Sequence, residues 1–230
     1  MNVKAVIFDL DGTIVSFNLD YKALRGEVRE CLLRGGVPAS VLSVKDSVFE
    51  MLRKTEIFVR NSGKSTGTMQ EIRNEALAIA EKYELEAAVS TDLLSGASET
   101  LAALKRMGLK IGLFTLNSDK AVNYILQRFK LGDFFDVTIP RNKVNFVKPN
   151  PKHLEMALKV LDVAAEETLV VGDGNIDMQS AMELKAIAVG LPTASSTIEQ
   201  LTRNGANYII TSITDLPALI EKINSSQAAQ

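Results

Sequence analysis

Four aspartates, placed in two pairs far apart in the chain, have the type and spacing needed to hold a metal ion. Asp9 and Asp11 follow one short apolar run that a glycine brings to an end, and Asp173 and Asp177 follow another. The β-branched and aromatic residues of these runs predict buried strands. Because the carboxyl ends of parallel strands meet at one edge of a sheet, we expect the four carboxylates to converge on one crevice.

Such a cluster calls for a cation, because like charges a few ångströms apart raise one another's pKa and oppose ionisation. The candidate ligands are all oxygens, with no thiolate or imidazole beside them, and this donor set favours Mg²⁺ over Mn²⁺ or Ca²⁺. The sequence therefore predicts a Mg²⁺ site formed by Asp9, Asp11, Asp173 and Asp177. The alternative is that these aspartates are ordinary turn residues.

Four segments, taken together, resemble the motifs of the haloacid dehalogenase-like superfamily of phosphohydrolases. Asp9–Thr13 resembles the first motif, Leu113–Thr115 the second, Lys148–Pro149 the third and Gly172–Asp177 the fourth. They occur in the expected order, and their joint occurrence is far more specific than any one of them. The resemblance implies a hydrolase with a helical cap, similar to phosphoglycolate phosphatase.

The same residue types suit the hydrolysis of a phosphate ester, which needs a nucleophile and strong charge stabilisation. Asp9 is the predicted nucleophile, and Asp11 is the predicted general acid and base. Thr115 is expected to donate its hydroxyl to a phosphoryl oxygen, and Lys148 to supply a positive charge. Asn117, two residues beyond Thr115, is a further candidate for substrate binding.

The segment Arg60–Gly67 is the candidate for recognising the part of the substrate beyond its phosphate group. It joins two predicted helices and contains two glycines, several hydroxyls and the cations Arg60 and Lys64. Both cations are predicted to bind an anionic substrate. A solvated interhelical loop is the other interpretation of the same residues.

The elements that must position these residues form a discontinuous α/β domain with an insert. From Leu109 onward, strand-like and helix-like segments alternate, which predicts a Rossmann-like, mostly parallel sheet covered by helices. We assign residues 1–15 and 95–230 to this core and residues 16–94 to an all-helical cap that closes as a lid. The cap helices are predicted at Asp20–Leu33, Ala39–Ser43, Ser47–Arg60 and Thr68–Lys82.

Composition excludes several other classes of protein. The chain has 230 residues and a net charge of -2, which gives no electrostatic case for binding nucleic acid or a membrane surface. A single cysteine, an amino terminus that leads straight into a strand and the lack of a long apolar run predict a cytoplasmic protein. The only histidine, His153, lacks a sequence partner and is predicted at the surface. A monomer and a homodimer are both compatible with the sequence.

Together these features predict a Mg²⁺-dependent phosphatase that hydrolyses a small phosphorylated metabolite through an aspartyl-phosphate intermediate. Two alternative functions are also compatible with the sequence. A sugar-phosphate mutase of the same superfamily would use the same two aspartates, and a non-catalytic protein that binds a phosphometabolite would keep the fold without turnover. The presence of Asp11 argues against haloacid dehalogenation, because that reaction has no leaving alkoxide to protonate.

Overall fold

The computed structural model describes residues 2–16, 18–63, 66–194 and 196–228. The chain divides into two compact units. One comprises Met1–Phe17 with Thr91–Gln230, and the other is Asn18–Ser90. We refer to them as the core and the insert.

The core contains a six-stranded parallel sheet in the order β3-β2-β1-β4-β5-β6. This architecture confirms the predicted Rossmann-like α/β fold. The strands are β1 (Ala5–Phe8), β2 (Lys110–Thr115), β3 (Val137–Pro140), β4 (Thr168–Gly172), β5 (Ile187–Gly190) and β6 (Tyr208–Ile209).

The central strands form because their residues are apolar on both faces. Every residue of β1 and of β4 is buried, as expected for a parallel sheet covered by helices on both sides. In chain order, β2 pairs with one side of β1 and β3 follows beyond β2, whereas β4 pairs with the other side of β1. The strand order therefore reverses between β1 and β4, which is where open α/β sheets bind ligands.

The described part of the core contains six α-helices. They are α4 (Ala97–Arg106), α5 (Asp119–Arg128), α6 (Pro151–Leu161), α7 (Asn175–Leu184), α8 (Ile198–Arg203) and α9 (Leu216–Ala228). Of these, α4 was not among the helices predicted from the sequence. Its buried Leu101 and Leu104 carry the helical spacing of an amphipathic segment, and Gly96 precedes it in a left-handed conformation.

Helices are the only regular secondary structure among the described residues of the insert, 18–63 and 66–90. Its α-helices are α1 (Tyr21–Arg34), α2 (Val48–Asn61) and α3 (Thr66–Ser90), with a short 3₁₀ turn at Ala39–Val41. Side-chain caps from Asp20 and Ser47 begin the first two helices. The last helix continues to Ser90 instead of ending at Lys82, and the buried residues Glu84 and Ala88 lie on its additional turns.

The insert has an apolar core of its own. Buried side chains from α1, α2 and α3 pack together, including Val28, Met51 and Ile72. No helix in the described part of the chain is long and apolar enough to cross a membrane.

Candidate active site

Asp9 and Asp173 lie on the two sides of the point where the strand order reverses. Asp9 directly follows β1 and Asp173 directly follows β4, and these strands are paired with Phe8 opposite Val171. The Asp9 amide donates a hydrogen bond of 2.9 Å to the Val171 carbonyl, which extends the pairing to the aspartate itself. The sheet therefore fixes the backbone from which both carboxylates project.

Two glycines allow the carboxylates to approach the backbone closely. Gly12 has a φ of 73°, and a Cβ at this position would lie 2.3 Å from an Asp173 carboxylate oxygen. A Cβ on Gly172 would lie 2.4 Å from an oxygen of Asp177. Any side chain at either position would displace an acidic residue of the site, which explains the glycines within the first and fourth motifs.

Three of the four predicted metal ligands come together. Asp9, Asp173 and Asp177 each offer a carboxylate oxygen, and these oxygens lie within 4.8 Å of one another. Asp177 lies in the first turn of α7, as predicted, and the Gly174 amide donates a hydrogen bond of 3.0 Å to it. The Asp11 carboxylate is not part of this group.

Lys148 is buried against two of these carboxylates. Its Nζ lies 2.8 Å from Asp9 Oδ1 and 2.6 Å from Asp177 Oδ1, and its side chain is 1% exposed. Burial by itself would lower the pKa of the lysine, but the charges of Asp177 and Asp9 outweigh this effect and hold the pKa above its ordinary value. The ammonium is therefore charged beside the predicted nucleophile.

The Asp177 carboxyl is strongly perturbed by its surroundings. Burial, with the negative charges of Asp9 and Asp173, raises its pKa to about 7 against the opposing charge of Lys148. This is the electrostatic conflict that the sequence predicted for a cluster of acids at one sheet edge. A divalent cation among the three carboxylates would relieve it.

Asp11 contacts the second motif. The Asn117 side-chain amide donates a hydrogen bond of 2.8 Å to Asp11 Oδ2. The Asn117 backbone amide in turn donates to the Thr115 hydroxyl over 3.2 Å. Asn117 was predicted as a substrate ligand, and this stays a prediction; in the structure its side chain contacts the predicted acid and base. The structure thus joins Asp11, Asn117 and Thr115 into one hydrogen-bonded group.

Two residues of the site were missed in the sequence. Thr193, in the loop after β5, donates its hydroxyl to Asp173 Oδ2 over 3.0 Å. His153 was predicted at the surface, and this prediction is wrong: the residue is 0% exposed and contacts the backbone of Lys148. Thr193 had no sequence signal, whereas His153 lies in the helix that directly follows the third motif.

The predicted substrate ligands of the insert are less defined. Arg60 is exposed on α2 and forms an ion pair of 3.1 Å with Glu56, one turn earlier in the same helix. Lys64 lies outside the described residues. Substrate binding by these two cations therefore stays a prediction.

The donors around the three carboxylates fit a hard divalent cation. All of them are oxygens, as Mg²⁺ prefers. Asn175, two residues after Asp173, adds a buried side-chain oxygen that has no hydrogen-bond partner among the described residues. A buried carbonyl oxygen without a partner is costly, and a nearby cation with its bound water would satisfy it.

Comparisons with known proteins agree with this geometry. Residues 3–185 match the family model of haloacid dehalogenase-like hydrolases. The chain is 33% identical over 235 residues to pyrophosphatase PpaX of Bacillus mycoides strain KBAB4, a match that covers 97% of this chain and 100% of that protein.

Two solved structures show the same fold. One is β-phosphoglucomutase from Clostridium difficile, with a TM-score of 0.70, 21% identity and coverage of 99% of this chain and 100% of that one. The other is a predicted phosphoglycolate phosphatase from Haemophilus somnus, with a TM-score of 0.64, 18% identity and coverage of 94% and 97%. The resemblance inferred from the four motifs is confirmed, and the chain belongs to the haloacid dehalogenase-like hydrolases.

Proposed function

We propose that this protein is a Mg²⁺-dependent phosphatase that hydrolyses a small phosphorylated metabolite through an aspartyl-phosphate on Asp9. The observation that carries the proposal is the placement of Lys148 between Asp9 and Asp177, with Asp173 beside them, where the strand order reverses. A buried ammonium and three carboxylates form a site with the charges that phosphoryl transfer needs.

The first half-reaction forms the intermediate. A carboxylate oxygen of Asp9 attacks the phosphorus, and the bond between the phosphorus and the ester oxygen breaks. Asp11 gives its proton to the departing alkoxide. Asn117 donates a hydrogen bond of 2.8 Å to Asp11 Oδ2, which helps to orient the carboxyl group for this transfer. The Thr115 hydroxyl and the Lys148 ammonium stabilise the negative charge on the transferring group.

The second half-reaction restores the enzyme. A water molecule attacks the phosphorus of the aspartyl-phosphate, and Asp11 accepts its proton. The bond from phosphorus to the Asp9 oxygen breaks, which releases phosphate and regenerates both carboxyl groups. Asp9, Asp173 and Asp177, with Asn175 nearby, would hold the Mg²⁺. When bound, the ion supplies positive charge that neutralises the phosphoryl oxygens and orients them for in-line attack.

Inorganic pyrophosphate is a second candidate substrate. The Bacillus mycoides relative, aligned over its whole length, is named a pyrophosphatase. The same two half-reactions would apply, with phosphate as the leaving group. Because phosphate is a much weaker base than an alkoxide, its departure depends less on the proton from Asp11.

The test is phosphate release from a panel of small phosphomonoesters and from pyrophosphate, with Mg²⁺ and with EDTA. We compare the wild-type chain with Asp9→Asn and with Asp133→Asn, an exposed aspartate of the core. We expect Mg²⁺-dependent release that Asp9→Asn lowers by at least about 1,000-fold, because an amide is a poor nucleophile. Asp133→Asn should retain wild-type activity.

The other outcomes identify the alternatives. Comparable turnover by Asp9→Asn would remove this residue from its role. Conversion of a sugar monophosphate to its isomer, dependent on an activating bisphosphate, would identify a mutase. Binding of phosphate esters with no turnover would identify a non-catalytic protein.

A further inference from the structure

His153, the only histidine in the chain, is fully buried in the first turn of α6, just after the third motif. We propose that it is a positioning residue, whose neutral imidazole holds the Lys148 backbone against strands β2 and β3. The inference rests on the proposed function, because it concerns the lysine that the mechanism uses.

Both ring nitrogens of His153 have backbone partners. Nδ1 accepts a hydrogen bond of 3.3 Å from the Lys148 amide. Nε2 lies 2.9 Å from the carbonyl oxygen of Ile139, near the end of β3. Since an amide can only donate and a carbonyl can only accept, the proton must be on Nε2. One neutral tautomer therefore links the lysine segment to the sheet.

A contact between two rings completes the link. His153 packs edge-on against Phe114, with ring centroids 5.6 Å apart. The Lys148 Nζ lies 4.1 Å from the centroid of Phe114. Phe114 pairs with Ile139 between β2 and β3 and directly precedes Thr115. The imidazole thus contacts Phe114, the neighbour of Thr115 on β2, and also the backbone amide of Lys148.

The surroundings favour the neutral ring. Burial is the main cause and the charge of Lys148 the second that lower the pKa of His153 to about 4, against the opposing effect of the Ile139 carbonyl. Protonation would place a proton on Nδ1, facing the Lys148 amide, and would remove the acceptor. Because both nitrogens are engaged and the ring is buried, His153 has no free atom with which to contact substrate. Its effect must pass through Lys148.

Three substitutions separate the two hydrogen bonds. His153→Asn keeps an acceptor near the position of Nδ1, and His153→Gln keeps a donor near that of Nε2. His153→Phe keeps the ring and removes both bonds. We expect kcat to fall about 10-fold in the Gln and Phe variants, which lose the acceptor for Lys148, and no more than about threefold in the Asn variant. KM should stay within about twofold of wild type in all three, because the change lies behind Lys148 and not at the substrate.

Thermal unfolding of each variant provides the control for a merely structural role. The inference is overturned if kcat falls equally in all three variants, or if the kcat values follow the melting temperatures and not the presence of an acceptor. The inference is supported if His153→Asn has a higher kcat than His153→Gln although its melting temperature is no higher.

Nuclear magnetic resonance tests the same inference without turnover. With one histidine in the chain, a long-range ¹H–¹⁵N spectrum of the wild-type protein in EDTA contains a single imidazole. We expect the Nε2–H tautomer and no protonation down to about pH 5. We also expect faster hydrogen exchange at the Lys148 amide in His153→Phe. An Nδ1–H tautomer, or titration near pH 6.5, would overturn the positioning role. A wild-type chain that hydrolyses no phosphate compound would overturn the proposed function alone.

Discussion

The core and the insert each contain a lysine–aspartate ion pair of nearly the same length in very different surroundings. Lys148 lies 2.6 Å from Asp177 in the core, and both side chains are almost fully buried, at 1% and 0% exposure. Lys54 lies 2.8 Å from Asp46 in the insert, with side chains 32% and 11% exposed. Ion pairs of nearly the same length can therefore differ in energy. Burial raises the free-energy cost of removing the two charges from water and also strengthens the attraction between them.

The two units use charge for different purposes. Other ion pairs of the insert, such as Arg60 with Glu56 and Arg34 with Glu75, are exposed on both sides. Such pairs contribute little, and the insert is stabilised by its apolar core. In the core, the buried charges of Lys148 and Asp177 lie at the edge where open α/β sheets bind ligands. Charges with perturbed pKa values in such a place are typical of a functional site.

The largest expected difference between the units comes from removing each lysine. Lys148→Met leaves the buried Asp177 and the partly exposed Asp9 without their cation. We expect unfolding in urea, in EDTA at pH 8, to show a loss of about 3–5 kcal/mol. We also expect kcat to fall on the order of 100- to 1,000-fold, because a charge that stabilises the transferring group is lost.

Lys54→Met is the matched control. Its partner Asp46 retains a hydrogen bond from the Ser43 amide, and Lys54 itself is 32% exposed, so that little is lost when its charge is removed. We expect a far smaller loss of stability and unchanged kcat. Similar losses of stability in the two variants would contradict the argument from burial.

Much of the site could be predicted because its residues directly follow buried strands. The apolar runs identified β1 and β4, and the glycines after them indicated where Asp9 and Asp173 lie. Parallel pairing then brings these ends together without any further information.

The partners of these residues could not be predicted, because tertiary contacts carry no local signal. Nothing near Thr193 indicates a bond to Asp173, 20 residues earlier. A lone histidine next to two prolines is typical of a surface turn, and only the sheet supplies the Ile139 carbonyl that makes burial of His153 favourable. For Asp11, the sequence indicated a carboxylate in the crevice but not that Asn117 would engage it.

A second contrast between the units is their response to pH, since the only histidine lies in the core. Its pKa of about 4 in the folded protein lies below its ordinary value of 6.5. The unfolded chain therefore binds the proton first, and stability is lost as pH falls from 6.5 to 4. The loss amounts to about 3 kcal/mol. Asp177, with its pKa raised from 3.8 to about 7, has the opposite trend over a similar range.

These opposing trends are separated by comparing wild type with His153→Phe. The Asp177 contribution is common to both proteins, so the difference in their unfolding free energies isolates the histidine. We expect wild type to gain about 3 kcal/mol relative to the variant between pH 4 and pH 6.5. The measurement is urea denaturation in EDTA at intervals of half a pH unit. A difference that does not change with pH would show that His153 titrates normally.

The smallest expected effect concerns one threonine in each unit. Thr193 in the core donates its hydroxyl to Asp173, a predicted metal ligand. Thr55 in the insert is fully buried, and its hydroxyl has no hydrogen-bond partner among the described residues. Valine has nearly the same shape as threonine and removes only the hydroxyl. Comparison of the two valine variants therefore tests whether the effect of a buried hydroxyl depends on the group that it orients.

We expect Thr193→Val to weaken Mg²⁺ binding about 10-fold, measured by calorimetry, because the Asp173 carboxylate loses the bond that fixes its orientation. Thr55→Val should leave Mg²⁺ affinity unchanged and should not lower the free energy of unfolding, because no hydrogen bond is lost. Unchanged affinity in Thr193→Val would mean that the Thr193 hydroxyl does not set the orientation of Asp173, and that a buried hydroxyl in the core matters no more than the one in the insert.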